Sequence, residues 1–118
     1  MRDGYNTRFE TMTQTQKSRR EVLELFVHAN PNDAFARYGL ALECAKLGDN
    51  DAALKHFEQL LAARPEYVPT YYQFGQLLAR LGRIAEAKKI LSDGILAAQN
   101  AGDMHARDET QAALQALA

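Results

Sequence analysis

Few side chains in this chain stand where they could make or break bonds. His28, His56 and His105 have no partner at ligand spacing, so no metal site is expected. His56 precedes Phe57 and reads as a surface or boundary residue; His105 opens the last helix and reads as exposed. Cys44 is the single cysteine, with no evident basic neighbour to lower its pKa, and reads as a buried structural thiol rather than a nucleophile. The carboxylates are scattered over solvent faces, and no glycine-rich phosphate loop occurs. The cluster Lys17-Ser18-Arg19-Arg20 is short and reads as a solvated helix start. Independent catalysis and a bound cofactor are therefore not expected. What does recur is recognition chemistry: Tyr38 returns as Tyr72 and Lys46 returns as Arg80. Tyrosine offers a large contact area with a hydroxyl tip, and Lys or Arg can hold a carboxylate. A structural role competes for the same residues. The tyrosines could pack between repeats, and the basic pair could be solvated charges near helix C-termini, where cations are favoured.

The elements that carry these residues repeat with a period of 34. Residues 34–67 and 68–101 align through Tyr38/Tyr72, Ala45/Ala79, Leu47/Leu81, Gly48/Gly82, Ala53/Ala87, Lys55/Lys89 and Ala63/Ala97. A fixed period of this length marks a stacked repeat. Ser18 with Glu21 forms a capping box for a helix over residues 17–29, which ends before Pro31. Val22, Leu25 and Phe26 share one face of it, widened by Leu23 and Val27. Asn32 or Asp33 caps a helix over 34–47 and Asn50 one over 51–63; Pro69 suits the first turn of the next, which stops at Gly82. A helix over 84–99 stops before Gly102, and Asp103 caps a last one over 104–117. No stretch alternates as a strand would, so six helices are expected.

Length and charge narrow the classes further. The 118 residues fit one domain, and a net charge of −1 gives no argument for nucleic acid or an anionic membrane. No apolar run approaches the roughly 20 residues that span a bilayer. Residues 1–16 are polar and aperiodic, hold no secretory signal, and read as disordered, with Met12 as an alternative start. A cytoplasmic location is the expectation.

Close antiparallel helices need small residues where backbones meet, and Ala41, Gly75, Ala53 and Ala87 supply them. Leu40, Cys44, Phe57, Leu60 and Leu61 fill one unit; Tyr71, Phe74, Leu78, Leu91 and Ile95 fill the next. This arrangement resembles the tetratricopeptide repeat: Tyr71, Phe74-Gly75, Leu78, Gly82, Ala87 and Leu91 in the second unit, and Leu40-Ala41, Gly48, Ala53, Phe57 and Pro65 in the first. It departs at Arg37, where the pattern has an aromatic and Tyr38 or Phe35 would fill the space, and at Gln99, where the pattern has Pro. Gly94, where Ala is usual, would weaken or bend its helix by up to ~1 kcal/mol.

The resemblance implies an all-α fold of antiparallel hairpins stacked as a short right-handed superhelix. Residues 17–31 would be a half-repeat, 34–67 and 68–101 two full repeats, and 103–117 a polar capping helix. It also implies a concave face that receives an extended or helical segment of a partner protein. Phe35, Tyr38, Leu42 and Lys46 fall on that face in the first unit, and Pro69, Tyr72, Gln76 and Arg80 in the second. Some relatives bind a C-terminal carboxylate through Lys, Asn and Arg; here those places hold Tyr38, Leu42 and Gln73, so that activity is not expected. The expected function is a protein-interaction module or adaptor for a partner segment with an acidic group. The alternative is a self-associating block that dimerises through the apolar edge of its first helix.

Overall fold

Three glycines with positive φ set the local geometry: Gly48 at 83°, Gly82 at 79° and Gly102 at 72°. Gly48 and Gly82 sit two places past a helix end and Gly102 one place past, where the left-handed conformation is easy only for glycine. The following N–H folds back onto the helix, from Asp49 to Cys44 O at 2.9 Å, from Arg83 to Leu78 O at 2.9 Å and from Asp103 to Ala98 O at 2.9 Å. That same following residue then serves as N-cap of the next helix. Asp49 accepts from the Ala52 N–H at 3.2 Å and Asp103 from the Ala106 N–H at 3.0 Å. With no spare residue between stop and start, the chain must turn straight back.

The computed structural model describes residues 17–117. They form six helices and no strand: α1 (Arg19–Ala29), α2 (Ala34–Lys46), α3 (Asn50–Ala63), α4 (Pro69–Arg80), α5 (Ile84–Ala101) and α6 (Met104–Gln115). The expected disorder of residues 1–16 lies outside the described residues. Ser18 accepts from the Glu21 N–H at 3.1 Å and caps α1, Asp33 accepts from Ala36 at 3.0 Å and caps α2, and Pro69 is the first residue of α4. Several boundaries differ from expectation by one or two residues, α1 starting at Arg19 and α2 ending at Lys46 among them. Asp49, not Asn50, caps α3, because the glycine turn hands its next residue directly to the cap. The last helix ends at Gln115 rather than at residue 117. Consistent with the missing proline at Gln99, α5 runs for 18 residues, to Ala101.

Consecutive helices pack together, and α4 also touches both α2 and α6, whereas α1, α3 and α5 do not touch one another. Helices close together on one side and splayed on the other make the first side concave, so α2, α4 and α6 line the inner face of an all-α helical repeat. The small residues sit where the helices meet: Ala41, Ala53 and Ala87 are each 0% exposed. A Cβ on Gly75 would lie 2.5 Å from Leu91 Cδ2, so α4 and α5 approach as closely as a hydrogen side chain permits. Phe57 and Phe74 stack at 5.5 Å and join the two units across α3 and α4. Each such buried Leu or Phe is worth roughly 1.5–3 kcal/mol.

Three packing expectations change. On α1 it is Leu23 and Val27 that face the core, while Val22, Leu25 and Phe26 remain 52%, 55% and 50% exposed. Around Arg37, Phe35 fills nothing, being 75% exposed. Arg37 reaches across to α3 instead, donating to Gln59 Oε1 at 2.8 Å and lying 3.4 Å from His56 Nδ1. Gly94 is a contact rather than a defect. A Cβ there would clash with Tyr71 Cβ and come within 3.3 Å of Thr110 Cγ2, so α5 can nest against α4 and α6 only without a side chain at this place.

Candidate functional site

The inner face is built from the register that α2 and α4 share. Residues 34 apart occupy matching places, so Tyr38 and Tyr72 correspond and line one pocket, and Lys46 and Arg80 correspond eight residues, a little over two turns, further along. Tyr38 is half-buried, its ring edge-on to Tyr67 at 5.8 Å. Tyr72 is half-buried and its hydroxyl accepts from Gln76 Nε2 at 3.1 Å. Leu42 packs partly against the core. Lys46, Arg80 and Pro69 are exposed. Neither Lys46 nor Arg80 has a carboxylate within 4.0 Å among the described residues, unlike Arg20, Arg64 and Arg83, which all pair with acids.

Tyr38 and Tyr72 open into a single pocket of about 150 Å³, closed on its far side by α6. Gln73, His105, Glu109 and Thr110 complete its wall. Burial, then the nearby Tyr67 hydroxyl, raises the Tyr38 phenol above its ordinary value; a hydrogen bond with Gln73 opposes this, and the Glu109 carboxylate adds to it. Sequence reasoning treated α6 as a polar cap and missed its contribution. The signal was present, since Asp103, Ala106 and Thr110 lie 34 residues past Pro69, Tyr72 and Gln76.

The outer face offers a larger recess. Because α3 and α5 do not touch, an open cleft of about 610 Å³ lies between them, floored by Phe74 and Leu78 and walled by Leu61 and Ile90. Its rim charges are mostly engaged within the chain, Glu86 with Arg83 at 2.6 Å and Lys89 with Asp93 at 3.1 Å. The recess is the splay of the stack and gathers no converging polar groups.

Other titratable residues act locally. Cys44 is fully buried, and burial pushes its thiol up against the opposing pull of Arg20. Burial and then the Arg37 guanidinium hold His56 below its usual range. Among the described residues no group of three or more His, Cys, Asp or Glu side chains could hold a metal ion, and no helix is long and apolar enough to cross a membrane.

The Tetratricopeptide repeat profile matches residues 45–118. Among solved structures, the chain is similar to a tetratricopeptide repeat domain protein of Salinibacter ruber, with 38% identity over 75% of this chain and 89% of that one, and a TM-score of 0.72. A protein of Bordetella parapertussis is 28% identical over 86% of this chain and 89% of its own, with a TM-score of 0.74. MamA, at 21% identity and a TM-score of 0.62, shares the fold. No curated protein matches the chain. The repeat in the sequence, the glycine turns, the stacked hairpins and the match over well more than half of the residues agree: the chain belongs to the tetratricopeptide repeat family, whose members in general mediate protein–protein interaction as scaffolds rather than enzymes.

Proposed function

We propose that this protein is a docking module or adaptor whose inner face, formed by α2, α4 and α6, takes an extended or helical segment of a partner protein in the cytoplasm. One observation carries the reading: two half-buried tyrosines share the helices α2 and α4 with two exposed bases, about two turns further along, that no acid of the described residues neutralises. A partner carboxylate is the natural complement of Lys46 and Arg80, and the tyrosines add contact area at low entropic cost. Phe35, Leu42, Pro69 and Gln76 extend the same face. Affinity capture from native lysate, with Tyr72→Ala/Arg80→Glu as the comparison protein, tests it. Both positions lie at the surface or half-buried, so the variant should fold, and its captured partners should be lost. A variant that retains all of them rejects the inner face as the site.

A second reading is favoured by α1, where Val22, Leu25 and Phe26 are each about half exposed on one stripe. Covering that stripe with a second copy would make a homodimer. Three half-exposed side chains fall short of the ~800 Å² per partner of a standard interface, so a stable dimer would need neighbouring surface as well. Sedimentation at high concentration decides: a strict monomer removes this reading.

A further inference from the structure

The inner face has a second polar feature at the opposite end from its bases. The pocket between Tyr38, Tyr72 and α6 holds about 150 Å³, roughly five water molecules' worth of space. Its charged wall is acidic. Glu109 has no basic partner within 4.0 Å among the described residues, although Arg107, two places away, pairs with Asp108 at 2.9 Å. Glu109 lies near enough to the Tyr38 hydroxyl to act on it. Two phenol rings and an unpaired carboxylate, with the Gln73 amide and the His105 imidazole beside them, line a recess whose one full charge besides Asp103 is negative, which favours a cation over an anion. Asp103 also lines the pocket and adds a second negative charge, though one oxygen is occupied by the Ala106 N–H.

We propose that this pocket receives a cationic side chain, Lys or Arg, from the same partner segment whose acidic group meets Lys46 and Arg80. The inference rests on the inner-face reading above and adds to it a charge pattern with a spacing. Tyr38 precedes Lys46, and Tyr72 precedes Arg80, by eight helical positions, or about 12 Å at 1.5 Å per residue. An extended segment advances about 3.3 Å per residue, so the partner carries its cation about four residues from its acid. The ring faces and the Glu109 carboxylate then hold the ammonium or guanidinium, while the two bases hold the carboxylate.

Three blocked pentapeptides serve as probes: acetyl-Lys-Ala-Ala-Ala-Glu-amide, its Lys→Ala analogue and its Glu→Ala analogue. They are titrated into the full, isotope-labelled chain and followed by amide chemical shifts. The Lys–Glu peptide is expected to bind roughly fivefold or more tightly than the peptide lacking Lys, with shifts at Tyr38, Tyr72 and Glu109 that the latter does not cause. Glu109→Gln should abolish that advantage and leave binding of the peptide lacking Lys unchanged. Asp108→Asn, the same charge change one residue away, should preserve it. Equal affinity of the two peptides, or an advantage that survives in Glu109→Gln, overturns the cation pocket while leaving the bases as a docking site. If none of the peptides shifts resonances on α2 or α4, both the inner-face reading and the pocket fall.

Discussion

Replacing Gly94 by alanine sets helix propensity against packing, and the two forces predict opposite signs. In an open helix the change would stabilise by up to ~1 kcal/mol, because glycine loses more backbone freedom than alanine on folding. In this structure the new methyl would strike Tyr71 Cβ and press Thr110 Cγ2 at 3.3 Å. Tyr71 is only 6% exposed and its hydroxyl donates to Pro65 O at 2.5 Å, so its ring is held at both ends. A Cβ is fixed by its backbone, so relief requires α5 to move away from α4 and α6. Overpacking of this kind costs ~1–3 kcal/mol, and a clash against a main-chain-fixed atom belongs in the upper half of that range. Subtracting the propensity gain leaves a net loss of about 1–2 kcal/mol. For a chain of this size that lowers Tm by several degrees, on the order of 4–8 °C per kcal/mol for domains of 60–100 residues and less for larger ones. Urea and thermal unfolding of Gly94→Ala beside wild type measure it. A Tm that rises would refute the nesting argument and restore the glycine to a simple weak point.

Two further outcomes follow from the electrostatics. Asp49 caps α3 and accepts from Arg20 at 2.9 Å; the Arg20 hydrogen bond, then the Ala52 N–H, holds its carboxyl below the usual range. A depressed folded value means stability that is present above the unfolded pKa and lost as pH falls through the folded one. Asp49→Asn should therefore be less stable than wild type at neutral pH, with the difference shrinking in acid; a difference that stays constant across urea titrations at both pH values contradicts this. On the alkaline side, Tyr38, Tyr67 and Tyr71 are all raised, chiefly by burial. Their raised values keep stability intact below the ordinary phenol range and remove it as pH climbs through the shifted values, so Tyr71→Phe should flatten part of the alkaline loss. An unchanged alkaline profile would show that Tyr71 stays protonated in the unfolding range and contributes nothing to it.

Much of the fold was legible because its signals are local. Gly48 and Gly82 stop helices for steric reasons that act within one turn, and Ser18, Asp33 and Asp103 cap helices through side chains reaching only three residues on. The period of 34 carried the stacking, and with it the neighbourhood of Tyr38 and Tyr72. The cap of α3 was misjudged by one residue, since either Asp49 or Asn50 satisfies the local chemistry and only the path out of the glycine turn separates them. The site was less legible. Phe35, Tyr38, Leu42, Lys46, Pro69, Tyr72, Gln76 and Arg80 were expected on the inner face from the resemblance to the tetratricopeptide repeat, whereas Glu109 comes into one pocket with Tyr38 and Tyr72 only when α6 is folded against α4.

By itself the sequence determined which segments are helical, where each one stops to within about two residues, and that successive hairpins are copies. Those outcomes depend on atoms a few residues apart, whose relative positions the backbone already constrains. The tertiary structure alone decided that α1 turns Leu23 and Val27 inward, that Gly94 marks a tight contact, and that an acid from α6 closes the pocket between the tyrosines. These depend on the distance and angle between helices remote in the chain, which are set by the packing of all six at once and have no counterpart in any short stretch of residues.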